Sequence, residues 1–235
     1  MAHIEFQNVS FAYSLENVLD DVSFKLEKGD KISLIGQNGA GKSTAFKIAC
    51  GILRPASGNV RVLDGDPEDE EIRRRIGYLP EEPMPYRLLS VRENLEYSAS
   101  LRGAENVREA AEWALDMFDL HGLDMTKAAM LSRGNTQRLA LGMATLHDPD
   151  VLILDEPLNY LDIPTQERLV KYIYGSSKTI LVSTHLVSTA TRLTQEIMLL
   201  SAAKIKWRGE FAELSDFGTE EDSMESKIVR LMQTA

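Results

Sequence analysis

The run Gly36-Gln37-Asn38-Gly39-Ala40-Gly41-Lys42-Ser43-Thr44 carries the spacing G-x-x-x-x-G-K-[ST]. Glycines there let the backbone bend tightly enough to aim several N–H groups inward, and a helix starting at the end of the run adds partial positive charge. Lys42 supplies a full charge, so Gly36, Asn38, Gly39, Ala40, Gly41, Lys42, Ser43 and Thr44 make a candidate phosphate cradle. The Ser43 hydroxyl suits Mg²⁺, a hard cation that prefers oxygen. A second set of reactive residues lies far along the chain. The apolar run 151–154 ends in Asp155-Glu156, of which Asp155 can hold Mg²⁺ through water while Glu156 polarises a water for attack on phosphate. His185 closes another apolar run and can hydrogen-bond the same phosphate as charge develops. Taken singly, these are a helix-capping turn, carboxylates at a strand end and a structural histidine; their order and setting point to nucleotide hydrolysis.

Such residues need a sheet to hold them. The runs 31–35, 151–154 and 179–183 are nearly unbroken apolar stretches, as expected of parallel strands covered on both faces. Each places its reactive residues at its C-terminal end, where α/β sheets carry their chemistry. Residues 3–10 and 22–26 alternate apolar with polar and predict half-buried antiparallel strands, and 59–63 predicts another. Residues 66–71 are acidic and read as a solvated helix start. Three prolines keep 80–85 irregular. From Ser90 the pattern turns helical: Ser90 and Glu93 have capping-box spacing, and residues 107–120 repeat apolar side chains at helical intervals, with Trp113, Met117 and Phe118 expected in the core. Helices are also expected over 137–146 and from Pro164 to about residue 174, then a terminal hairpin (196–200 and 204–207) and a surface helix over 223–232.

The chain has 235 residues, 43% of them hydrophobic, 26% charged, and a net charge of -10. That composition excludes disordered and fibrous classes, and the acidic balance argues against a nucleic-acid partner, whose phosphates need clustered Lys and Arg. The single cysteine, Cys50, reads as a small buried apolar residue and cannot form an internal disulfide. No window approaches 18 consecutive apolar residues and no secretory signal pattern is visible, so a membrane role is expected only through a partner chain.

From Ile4 to about Trp207 the chain resembles the ATP-binding-cassette (ABC) ATPases. Residues 36–44 match Walker A, 131–135 the signature motif, 151–156 Walker B with its glutamate, 158–162 the D-loop and 183–185 the switch histidine, while Gln137-Arg138 matches the pair after the signature. The resemblance implies an α/β fold: a P-loop core of mostly parallel sheet with an antiparallel β subdomain, and a helical insertion. It implies one ATPase domain, with core about 1–87 and 147–210, helical subdomain about 88–146 and a C-terminal helical tail about 211–235. It also implies ATP and Mg²⁺ as ligands, Tyr13 as the aromatic stacked on adenine, and Lys42, Glu156 and His185 as catalytic groups. Ser43, Asp155 and Glu81 would serve the metal. Ser132, Gly134 and Asp162 would complete the nucleotide site of a second cassette.

The departures from the family pattern are specific. Arg133 and Asn135 replace the first glycine and the glutamine of Leu-Ser-Gly-Gly-Gln, Glu81 replaces the Q-loop glutamine, and Leu158 stands where a small hydroxyl residue is common. Leu79-Pro80-Glu81-Glu82 together with a non-glycine in the signature is similar to the ATP-binding subunits of bacterial and archaeal exporters whose membrane part is a separate polypeptide. The expected task is therefore ATP-driven dimerisation, as a homodimer or heterodimer, that energises export through a separate transmembrane permease. The expected place is the cytoplasmic face of the membrane, with Met84, Pro85 and Tyr86 offering the permease an apolar contact. The alternatives are a soluble non-transport ABC ATPase and a weakly hydrolysing regulatory half of a heterodimer.

Overall fold

The computed structural model describes residues 2–217 and 223–233; residues 218–222, 234 and 235 of the expected C-terminal tail lie outside the described residues, as does Met1. In chain order the strands are β1 (Ala2–Ala12), β2 (Asn17–Glu27), β3 (Lys31–Ile35), β4 (Ser57–Val62), β5 (Ile76–Leu79), β6 (Val151–Asp155), β7 (Thr179–Thr184), β8 (Glu196–Ser201) and β9 (Lys204–Glu210). The helices are α1 (Lys42–Ala49), α2 (Glu70–Arg74), α3 (Val91–Arg102), α4 (Val107–Met117), α5 (Arg133–Thr145), α6 (Ile163–Gly175), α7 (Val187–Leu193) and α8 (Met224–Gln233). The chain divides into two compact units, Met1–Arg73 with Thr179–Ala235, and Arg74–Lys178.

In the first unit β1 lies between β2 and β4, antiparallel to both, with Phe6 opposite Phe24 and Val60. The alternation read in the sequence has its cause here: Ile4, Phe6 and Val9 are buried, and Phe6 stacks on Phe24 with ring centroids 4.5 Å apart. β3 runs parallel between β7 and β8, and β9 closes the edge antiparallel to β8. The connection between β8 and β9 is a two-residue hairpin in which Ala202 and Ala203 both adopt left-handed φ, 47° and 63°. Alanine accepts that conformation only at a cost, and the Asp20 N–H pins the turn by donating to the Ala203 carbonyl at 2.8 Å.

One element of this unit corrects the sequence reading. α7 was not anticipated; Val187, Ala190 and Leu193 bury its inner face. The expected surface helix over 223–232 is α8, which buries Ile228 and Leu231 in a cluster with Ile35, Ala190, Leu199 and Leu214. Trp207 packs on this cluster and meets Phe217 edge-on at 6.0 Å.

In the second unit β5 and β6 pair in parallel, from Ile76 opposite Val151 to Leu79 opposite Leu154. α3 opens with the expected capping box: Glu93 N donates to Ser90 Oγ at 3.1 Å, and Ser90 N donates to Glu93 Oε2 at 2.6 Å. The helical core is built from Leu95, Ala99, Ala111, Ala114, Leu115, Phe118, Leu139 and Leu141, all fully buried. Gly142 lets the helices close, since a Cβ there would stand 3.0 Å from Leu95 Cδ2 and 3.3 Å from Ala114 Cβ. Small residues on α4 fill that interface, so Trp113, expected in the core, stays 38% exposed beside Phe118 and Tyr172. Nearby, burial and the charge of Arg102 push the His147 imidazole pKa down to about 4.

Candidate active site

The first unit supplies the phosphate loop. β3 delivers Ile35 in register with Thr184 of β7, so Gly36 and His185 leave neighbouring strand ends side by side. Gly36 needs to be bare, because a Cβ would meet the Leu200 carbonyl oxygen at 2.5 Å. Gly39 and Gly41 take φ of 82° and 105°, and a Cβ at Gly41 would also meet the Val18 carbonyl at 2.5 Å. Gly41 is the N-cap of α1 and offers no side chain to the helix, whose first turn holds no acidic residue. A helix end without a side-chain cap of its own suits an incoming anion. Lys42 is buried, its Nζ donating to the carbonyls of Gly36 at 2.7 Å and Gln37 at 3.1 Å. An ammonium folded over its own loop stands where phosphate oxygens can replace those carbonyls.

Tyr13 belongs to the same surroundings. Its ring is 62% exposed, set edge-on to Phe11 at 5.0 Å, and its hydroxyl lies 3.4 Å from Thr44 Oγ1. Ser43, in the first turn of α1, is half-buried and His185 is exposed. A cavity of about 420 Å³ borders the loop, lined by Asn17, Gln37, Asn38, Gly39 and Ser201 among others.

The second unit carries the remaining site residues. Asp155 and Glu156 are buried at the end of β6, and Glu156 holds φ at 48°. Leu79 is in register with Leu154, so the turn carrying Glu81 leaves its strand level with them. α5 begins at Arg133, not at Gln137 as expected from sequence, because Ser132 caps it: Ser132 Oγ accepts from Asn135 N at 3.3 Å. Gly134 lies against the following loop, where a Cβ would stand 2.7 Å from the Tyr160 carbonyl oxygen. The Arg133 guanidinium sits 5.7 Å from the Tyr160 ring centroid, a cation–π distance. Glu81, Arg133, Gln137 and Tyr160 share a cavity of about 340 Å³.

Asp162 caps α6 through Thr165 N at 3.1 Å and pairs with Arg138 at 2.6 Å. Hydrogen bonds from Thr165, with the Arg138 charge, hold its carboxyl below the ordinary carboxylate range. Sequence reasoning overlooked Tyr160 and Gln166; the amide of Gln166 donates to the carbonyls of Leu158 and Leu161, both at 3.2 Å. The partners of Tyr160 lie on α5, well back in the chain, whereas those of Gln166 are only five and eight residues before it.

Comparison with known proteins identifies the family. The family described as ABC transporter matches residues 19–159, more than half of the chain. An ABC transporter ATP-binding protein of Methanocaldococcus jannaschii is 31% identical over 90% of this chain and 79% of its own. A Nod factor export ATP-binding protein of Burkholderia thailandensis is 35% identical over 87% and 69%. A taurine import ATP-binding protein of Pelagibacter ubique is 31% identical over 79% and 71%. The solved ATP-binding subunit of an ABC transporter superposes with a TM-score of 0.89 at 30% identity, covering 98% of this chain and 99% of that one. A dimeric cassette in a post-hydrolysis state with ADP and Pi superposes at 0.80 with 25% identity, over 88% and 98%.

Proposed function

The chain belongs to the ABC transporter family as an ATP-binding, ATP-hydrolysing subunit, and from that membership we propose that it energises export through a separate membrane protein by closing on a second cassette when ATP binds. The observation that carries this reading is the phosphate loop, with its uncapped α1 and the Lys42 ammonium folded inward. Tyr13 stacks on the adenine, and Lys42 moves from loop carbonyls to phosphate oxygens. Ser43, Asp155 and Glu81 would offer oxygens to Mg²⁺, which when bound would neutralise phosphate charge. Glu156 accepts the proton of the attacking water, and His185 hydrogen-bonds the γ-phosphate. Ser132 and Gly134 complete the site of the second cassette, with Asp162 holding the loop beside them.

Relatives' names run in both directions, export and import. The choice of export rests on the Glu81-Glu82 turn and on Arg133. No described helix is long and apolar enough to cross a membrane. Met84 and Leu88 stand exposed beside the edge-on pair Tyr86 and Tyr97, an apolar surface suited to a permease. A second reading, a weakly hydrolysing half of a heterodimer, is motivated by the altered signature, in which Arg133 and Asn135 flank Gly134.

The test is ATP turnover and light scattering of Glu156→Gln. Loss of turnover by at least roughly a hundredfold, with growth from monomer to dimer in Mg-ATP, is the expected outcome. Wild-type turnover would remove Glu156 from the base role. A lasting monomer that binds ATP would favour the heterodimer.

A further inference from the structure

Glu156 turns the chain in a way its residue type resists. Its φ of 48° lies in the left-handed region, and Tyr160 repeats the exception at 63°. The strain needs an external hold, and the second unit provides one. Gln137, buried in the second turn of α5, donates its side-chain N–H to the carbonyls of Glu156 at 3.5 Å and Pro157 at 3.3 Å. Asn159 N donates to the same Glu156 carbonyl at 3.2 Å. Further along the segment, α5 also meets Tyr160 through Gly134 and Arg133, and Asp162 through Arg138. The helix capped by Ser132 and the segment that carries Glu156 are joined at Glu156, Pro157, Tyr160 and Asp162.

We propose that Gln137 is a positioning residue for Glu156: from the signature helix, its amide fixes the left-handed turn that aims the carboxylate. This rests on Glu156 as the base. It follows that a phosphate meeting the N-terminus of α5 bears on Glu156 of the same chain, because the two cannot shift independently while the amide bridges them. A glutamine suits this task, since one NH₂ group carries two protons and can serve two neighbouring carbonyls.

Steady-state ATP turnover of the full chain tests it with Gln137→Met, Glu156→Gln and the double variant. Gln137→Met fills similar space without a donor. Its kcat is expected to fall roughly tenfold with KM for ATP within about twofold, since ATP binding does not draw on this turn. The double variant should be no slower than Glu156→Gln alone, as expected of groups acting as a unit. Losses that simply multiply, or an unchanged kcat in Gln137→Met while Glu156→Gln is impaired, would overturn the inference and leave Glu156 in its role. An unimpaired Glu156→Gln protein would sink the base assignment and this inference with it. Melting temperatures guard against a purely structural effect, and Gln137→Glu, equal in shape but unable to donate when ionised, repeats the cycle if the methionine variant does not fold. Failure of both variants to fold would make Gln137 a scaffold residue and overturn the proposal.

Discussion

The N-terminus of α1 in the first unit and that of α5 in the second carry the same partial positive charge, yet they are finished differently. α1 starts from Gly41, left-handed and without a side chain, and its first turn waits for an anion from outside. α5 starts from Ser132, whose hydroxyl already accepts one of its N–H groups. Helices of both units are closed by their own side chains: α3, α4 and α6 by Ser90, Asn106 and Asp162, and α8 by Ser223, whose Oγ accepts from Ser226 N at 3.2 Å. A self-capped end is stable on its own and meets a ligand only by sharing its donors.

The sharpest way to break this contrast is to put a methyl group on each of the two glycines. Gly41→Ala meets both the strain of φ 105° and the Val18 carbonyl, so ATP affinity measured by calorimetry should drop by at least roughly a hundredfold. Gly134→Ala meets the Tyr160 carbonyl instead and should lower turnover while leaving the affinity of the single chain for ATP nearly intact. An equal loss of affinity in both would erase the distinction between the two helix ends.

Acid strains the second unit through His147. Its folded pKa of about 4 lies below the ordinary 6.5, so the unfolded chain takes up the proton first. Stability is whole above pH about 6.5 and is lost as pH falls toward 4. Urea unfolding of His147→Gln should show a pH dependence in that window flattened by ~2–3 kcal/mol relative to wild type. A smaller effect is expected from Ser132→Ala, which removes the cap of α5 and should cost about 1 kcal/mol in the same assay. The smallest is a gain. Ala202→Asn with Ala203→Gly suits the left-handed hairpin and should add up to about 1 kcal/mol in the same assay.

Much of this architecture was legible because it is written in neighbouring residues. The G-x-x-x-x-G-K-[ST] spacing, the apolar run before Asp155-Glu156, and the Ser90–Glu93 box each act over a few positions, and each folds as its chemistry requires. What escaped depends on partners far away in the chain. The surface helix α8 forms where expected, but the residues its inner face meets, Ile35 and Leu199, lie in no window around residue 228. α7 has seven residues, too few for a period to stand out. Gly134 and Asn135 disguised the first turn of α5, which exists because Ser132 caps it. The left-handed turn at Glu156 has no signature of its own, since its cause is an amide nineteen residues back, at Gln137.

The two tryptophans of the chain fall one in each unit, Trp113 on α4 and Trp207 on β9. Their surroundings differ: Trp113 is partly open to water beside Tyr172, while Trp207 rests on the α8 cluster against Phe217. The protein therefore contains a built-in optical label for each half. Replacing either ring with phenylalanine leaves emission from one unit alone, so that a nucleotide titration or a melt can be followed separately on the phosphate-loop side and on the signature side.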